Sequence, residues 1–189
     1  MLPGMKRTRK LTDKIRIATA SLCGCFGCHK SIQDIYDRLI DLAGIIEFDR
    51  SPINDIKTLH HCDIGIVEGG VANEENVAVL RTFRENCDTL VAFGACAVNG
   101  GIPDMLNLYT LQECLDTSYF DGIGVSNRCI PDDPEIPLLL DKVHPIHEVI
   151  KVDHFLPGCP PSADTIWTFI NELIEHKPVS FPYRQIHYD

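Results

Sequence analysis

Apolar positions along the chain alternate between two periods. "KIRIATAS" (14–21) sets Ile15 and Ile17 among small residues and predicts a buried strand. From Ser31 the period lengthens: Ile32, Ile35, Tyr36, Leu39 and Leu42 recur at helical spacing, and Gly44 supplies a stop. "GIIEFDRSP" predicts a second strand, and "DIGIVEGG" (63–70) a third that runs into paired glycines. A helix is expected over 74–86, with Val77, Leu80 and Phe83 inward. "TLVAFGACAVNGG" (89–101) reads as a fourth strand ending in a loop of glycine and cysteine. Residues 104–115 read as helical, and 117–147, with Pro131, Pro134, Pro137 and Pro145, as irregular. "HEVIKVDHFLPGCPPS" holds a fifth strand and another cysteine loop. "SADTIWTFINELIEH" closes the pattern as a helix with Ser162 as its N-cap and Ile166, Phe169, Ile170 and Leu173 inward.

Strands alternating with helices imply βαβ units around a parallel sheet, and strands this apolar imply a sheet covered on both faces. The expected fold is a flavodoxin-like, doubly wound α/β domain of three layers over 14–176. It is flanked by a flexible basic arm (1–13) and a C-terminal tail (177–189). A chain of 189 residues suits one domain with a sizeable core. No apolar run approaches a membrane span, and "MLPGMKRTRK" is not followed by the apolar block of a secretory signal. The reading is therefore cytoplasmic. A net charge of −10 argues against a general nucleic-acid binder and against a membrane surface as partner.

Nine cysteines change the picture. The number is odd, and without export the thiols stay reduced, so clustered ones point to metal or redox work. Cys62, Cys87, Cys114 and Cys129 stand apart and read as small buried hydrophobes. The others sit in loops that leave the carboxyl ends of strands, which a doubly wound sheet gathers on one edge. "LCGCFGCHKS" (22–31) contains Cys25 and Cys28 two residues apart, so both sulfurs can face one centre. "GAC" adds Cys96 and "GCPP" adds Cys159. Four thiolates from three loops suit a [4Fe–4S] cluster. A zinc ion also takes four thiolates, though usually as two close pairs. A thiol redox pair at "CFGC" leaves Cys96 and Cys159 without a role, and unrelated thiols remain the fourth reading. Bound flavin mononucleotide is not expected, because cysteines occupy "TASLCGC" where a hydroxyl-rich phosphate cradle would be needed.

"CFGCHKS", "IVEGGV", "GACAVNGG" and "LPGCPPSADTI", in that order, resemble the flavodoxin-like half of nickel–iron hydrogenase small subunits. The resemblance implies that Cys25, Cys28, Cys96 and Cys159 bind one proximal [4Fe–4S] cluster. It also implies that electrons come from a nickel–iron site held by a separate large subunit. The chain shows neither a twin-arginine signal nor a second, cluster-bearing half. With "LCGCFGC" it is similar to the small subunits of cytoplasmic NAD-reducing hydrogenases. That likeness implies diaphorase partner subunits carrying flavin and further clusters, and no catalytic residue on this chain, which would be inactive alone. No GxGxxG follows a strand, in keeping with NAD bound elsewhere.

The nearest rival family, the cluster-bearing subunit of respiratory complex I, typically has adjacent cysteines where this chain has Cys25–Phe–Gly–Cys28, and "IVEGG" leans toward hydrogenases. An interaction domain stabilised by zinc or thiols is the alternative of a different class. Cys23 reads as a spare thiol or a stand-in for Cys25. For Glu68 the resemblance implies an acceptor behind the cluster ligands or part of a proton path near the large subunit, and the residue alone reads equally as a helix- or loop-capping carboxylate. His29 is expected at the surface or an interface, or else donating to a cluster sulfur. His60, His61, His144 and His147 are expected at the surface or in packing, and Trp167 in the core or at a subunit contact.

Overall fold

The computed structural model describes residues 14–181, so the expected arm (1–13) and the last eight positions of the expected tail lie outside the described residues. The chain runs β1 (Ile15–Ser21), α1 (Gly27–Gln33), α2 (Arg38–Ala43), β2 (Ile46–Phe48) and β3 (Cys62–Glu68). It continues through β4 (Val71–Asn73), α3 (Glu74–Asn86), β5 (Cys87–Phe93), α4 (Ala95–Asn99), a 3-10 turn (Pro103–Leu108) and α5 (Leu111–Tyr119). β6 (Leu139–His144), α6 (Ile146–Val149), β7 (His154–Leu156) and α7 (Ala163–Ile174) complete it.

Five strands pair in parallel in the order β2-β1-β3-β5-β7. Numbered among themselves they run 2-1-3-4-5, the order of flavodoxin-like sheets. Alternation along each strand loads both faces. Ile15, Ile17, Ile64, Ile66, Val91 and Phe93 point into one apolar layer, where Ile32, Leu42, Ile166 and Phe169 of α1, α2 and α7 meet them. Ala18, Ala20, Val67, Leu90 and Ala92 point into the other, against Leu80 and Phe83 of α3 and Ala97 of α4. The small side chains of β1 on this second face leave room for Phe83, which is fully buried. Three layers follow from that two-sided burial, as the sequence predicts.

The first expected helix differs from the structure. It begins four residues early, at Gly27, and breaks between Gln33 and Arg38, where Tyr36 takes a left-handed conformation (φ 52°) and stands exposed. Ile32, Ile35 and Leu42 are still buried, so the break preserves the apolar face and expels only the aromatic ring. The 104–115 helix is likewise two elements. The 3-10 turn ends before Thr110, whose hydroxyl and Glu113 form a capping box that starts α5. Within the stretch expected to be irregular, β6 pairs antiparallel with β4 in a small second sheet. Most of its residues are half-buried or exposed, so it carries no clean alternation to read. Ser162 caps α7 by accepting from the Thr165 N–H, and Val179 and Phe181 pack on the core next to it.

The long connection from β2 to β3 is pinned by one carboxylate. Asp49 accepts from the backbone N–H groups of Arg50 (2.8 Å) and His60 (3.0 Å) and pairs with the His60 ring at 3.0 Å. Burial pushes the Asp49 carboxyl up, but these donors outweigh it and hold the group below its ordinary value of 3.8. A depressed carboxylate stabilises the fold above its unfolded-state value and loses that contribution as pH falls through its folded value. Asp49→Ala is therefore expected to cost about 1.5–3 kcal/mol near pH 7. It should also flatten the drop in stability below about pH 4, as read by urea unfolding across a pH series.

Candidate cluster site

Parallel strands deliver their following loops to one edge, and three of those loops meet there. The loop after β1 curls into α1 and brings Cys23, Cys25 and Cys28. The loop after β5 leads through Gly94 into α4 and brings Cys96, and the loop after β7 brings Cys159. Backbone hydrogen bonds lock the three together. Cys23 and Gly70 exchange bonds of 3.0 and 2.7 Å, which joins the first loop to the turn after β3. Gly94 N–H donates to Leu156 O at 2.7 Å, and Ala95 N–H donates to Gly158 O at 2.8 Å, which joins the second loop to the third. Ser31 of α1 donates to Pro161 O at 2.5 Å, closing the circle.

The thiols feel one another's charge. Burial pushes the Cys28 thiol up, then the Glu68 carboxylate, then Cys96 and Cys25. Burial also pushes Cys96 up. The Ile102 N–H bonded to its sulfur opposes that shift, and Cys159, Cys25 and Cys23 add to it. Cys25, Cys28, Cys96 and Cys159 are thus neighbours on one edge, with Cys23 beside them. Cys25 and Cys159 are exposed, while Cys23, Cys28 and Cys96 are half-buried, so the site has an inner wall and an open face. All nine cysteines are unpaired in disulfides. Among the described residues no three His, Cys, Asp or Glu side chains close on a point suited to a single metal ion.

The donor chemistry fits an iron–sulfur cluster, and glycines flank the sulfurs. Every candidate ligand is a thiol, the donor such clusters take. Glycine lies against three of the sulfurs: a Cβ at Gly27 would stand 3.1 Å from Cys25 Sγ, at Gly101 2.9 Å from Cys96 Sγ, and at Gly94 2.3 Å from Cys28 Sγ. Gly94 also has φ 85° and ψ 162°, a backbone region almost confined to glycine. The edge is built to keep these sulfurs clear of side chains.

Beneath the thiols lies a buried polar chain. Glu68, at the end of β3, accepts the Cys28 N–H at 3.0 Å and pairs with His29 Nδ1. His29 Nε2 bonds Thr19 Oγ1 at 2.9 Å, and Thr19 meets Ser51 at 2.7 Å. Burial raises Glu68, but the His29 bond and charge, with the Cys28 and Ser21 bonds, bring it below its ordinary value. His29 is 1% exposed and stacks on Phe26, its ring centroid 4.7 Å away. The sequence expectation of a surface or interface histidine is corrected: α1 starts at Gly27, which turns this ring inward beneath the loop. Glu68 accepts an N–H in the first turn of α1, as the capping reading expects, and so ties the first cysteine loop to the end of β3. Trp167 packs against the core beneath the Arg38 guanidinium, 5.7 Å from the ring centre. Cys62 and Cys87 are buried, as expected of small hydrophobes, whereas Cys114 is only half-buried and Cys129 is exposed.

The fold and the edge together define a doubly wound α/β protein whose carboxyl-end loops bring thiols together from three places in the chain. The family model described as NADH ubiquinone oxidoreductase, 20 Kd subunit, matches residues 25–173, and the chain belongs to that family. Its relatives there are hydrogenase subunits. The chain is 43% identical to the NAD-reducing hydrogenase HoxS subunit delta of Cupriavidus necator, over all of this chain and 91% of that one. It is 35% identical to a subunit of the F420-non-reducing hydrogenase of Methanothermobacter marburgensis, over 91% of this chain and 57% of that relative. A solved NAD+-reducing [NiFe]-hydrogenase, in the H2-reduced state, contains a chain that superposes with a TM-score of 0.91 at 51% identity, covering 94% of this chain and all of that one. A chain of the Ni-Fe-Se hydrogenase from Desulfomicrobium baculatum shares the fold, with a TM-score of 0.54 at 15% identity over 92% of this chain and 69% of that one.

Proposed function

We propose that the chain is the electron-transfer small subunit of a cytoplasmic nickel–iron hydrogenase. It would stand between the nickel–iron site of a large subunit and a diaphorase module that reduces NAD. Convergence of Cys25, Cys28, Cys96 and Cys159 on one sheet edge carries this reading, and the likeness to the delta subunit of an NAD-reducing hydrogenase supports it. A [4Fe–4S] cluster, when bound, supplies reversible one-electron storage.

The chain's own residues define the rest. Cys28 and Cys96 would hold the inner side of a bound cluster, where burial and the neighbouring charges push both thiols up. The Ile102 N–H directed at Cys96 Sγ would draw charge from that sulfur and so favour the reduced form of a cluster held there. Cys25 and Cys159 mark the face open to a partner. Directly after the Cys96 loop, Ile102, Met105, Leu108 and Tyr109 expose an apolar surface of the kind a partner subunit covers. Among the described residues no helix is long and apolar enough to cross a membrane.

Anaerobic purification tests the proposal. The expected product is brown and carries about four irons per chain, with a paramagnetic signal on reduction. Within the assembled complex that signal should appear under H2. A colourless chain holding one zinc, or a cluster that H2 never reduces in the complex, would overturn the reading.

A further inference from the structure

The opposite end of the sheet, away from the cluster edge, holds a second group of thiols. Cys62 opens β3 and Cys87 opens β5, and the parallel register sets the two directly opposite each other. Adjacent strands lie about 4.8 Å apart. That spacing falls inside the Cα separation of about 4.4–6.8 Å that a disulfide spans. Both side chains are buried in the layer formed with Leu80, Phe83 and Leu90. The two thiols act on one another electrostatically, and Cys62 Sγ donates its proton to the His60 carbonyl at 3.3 Å. An independent feature of β3 matches this. Gly65, a glycine inside a central strand, is where a Cβ would stand 2.7 Å from Cys87 Sγ. The strand gives up a side chain where the Cys87 sulfur needs space.

We propose that Cys62 and Cys87 are a built dithiol, which hydrogen peroxide converts to an interstrand disulfide. One sulfur attacks the peroxide O–O bond and becomes a sulfenic acid, releasing water. The second sulfur displaces the sulfenic oxygen, the S–S bond forms, and a second water leaves. Each sulfur gives up one electron, hydrogen peroxide takes two, and both thiol protons end in water. The bond ties β3, whose far end carries Glu68, to β5, whose far end leads to Gly94 and Cys96. Oxidation therefore staples the two strands that support the cluster edge. The neighbouring Cys87 thiol and burial push the Cys62 thiol up, which makes the reaction slow.

The test exposes the purified full-length protein to graded hydrogen peroxide, quenches it by alkylation in denaturant, and maps the peptides by mass spectrometry. The expected result is a linked Cys62–Cys87 peptide, two mass units lighter than the sum of its free parts and released by dithiothreitol. In Cys87→Val, Cys62 should instead be recovered alkylated. Two outcomes overturn the proposal. One is alkylation of both cysteines at doses that oxidise exposed Cys129. The other is Cys62 linked to cysteines of the cluster edge, the mark of scrambling in an unfolded chain.

Discussion

Serine at position 159 is expected to strip most of the iron from the protein while leaving its fold in place. Cys159 is exposed and sits on a loop, so its side chain contributes little to packing. Its sulfur is nonetheless within electrostatic reach of Cys96, as a ligand of the proposed site would be. A serine hydroxyl keeps its proton where a thiol yields one, and iron of this kind is held by thiolates. Three thiols then remain for a group that takes four. Iron content should fall from about four per chain to a small fraction of that. Far-ultraviolet circular dichroism and the urea midpoint of the iron-free form should match those of iron-free wild type. Cys129→Ser, also exposed but not among the thiols that act on Cys28 or Cys96, should keep its full iron. Full iron and an unchanged paramagnetic signal in the Cys159 variant would remove that residue from the ligand set.

Much of the architecture is legible in the sequence because the central strands are apolar on both faces. Ile15, Ile17, Ile64, Ile66 and Val91 alternate with Ala18, Ala20, Val67 and Leu90, and such strands have few alternatives to a covered parallel sheet. The cysteine loops are legible for the same reason, since the fold dictates that loops following parallel strands share an edge. What escapes the pattern is set by local backbone and by polar burial. Tyr36 fits a helical period yet sits in a left-handed turn, because two short helices serve the core as well as one long one. β6 lacks alternation because its partner β4 has only three residues and neither strand is covered on both faces. His29 looks like a surface residue until the early start of α1 turns it toward Glu68 and Thr19. The capping box of Thr110 and Glu113 is a signal the sequence does carry, with hydroxyl and carboxylate three residues apart. It marks the boundary between the 3-10 turn and α5. The Ile102 N–H bonded to Cys96 has no sequence signature at all, since any residue but proline supplies that donor.

Alanine at position 94 is expected to cost the protein both stability and its cluster, through two effects that can be separated. The backbone there has φ 85° and ψ 162°, and holding a residue with a side chain in such a region costs about 1–3 kcal/mol. Rotating away is resisted, because Gly94 N–H bonds Leu156 O and the next N–H bonds Gly158 O. The new methyl would also stand 2.3 Å from Cys28 Sγ, far inside contact, so the thiol or the loop must move. Cys28 is pinned by its N–H to Glu68, which leaves the sulfur to swing out of the site. Gly124 supplies the control. It has the same φ of 85° but nothing within 4 Å of an added Cβ, so Gly124→Ala carries backbone strain without a clash at a thiol. Both variants should unfold at lower urea, the Gly94 one by more, and only Gly94→Ala should fail to retain iron. Equal iron in the two would mean that the space beside Cys28 serves packing of the loops and not the seating of a cluster.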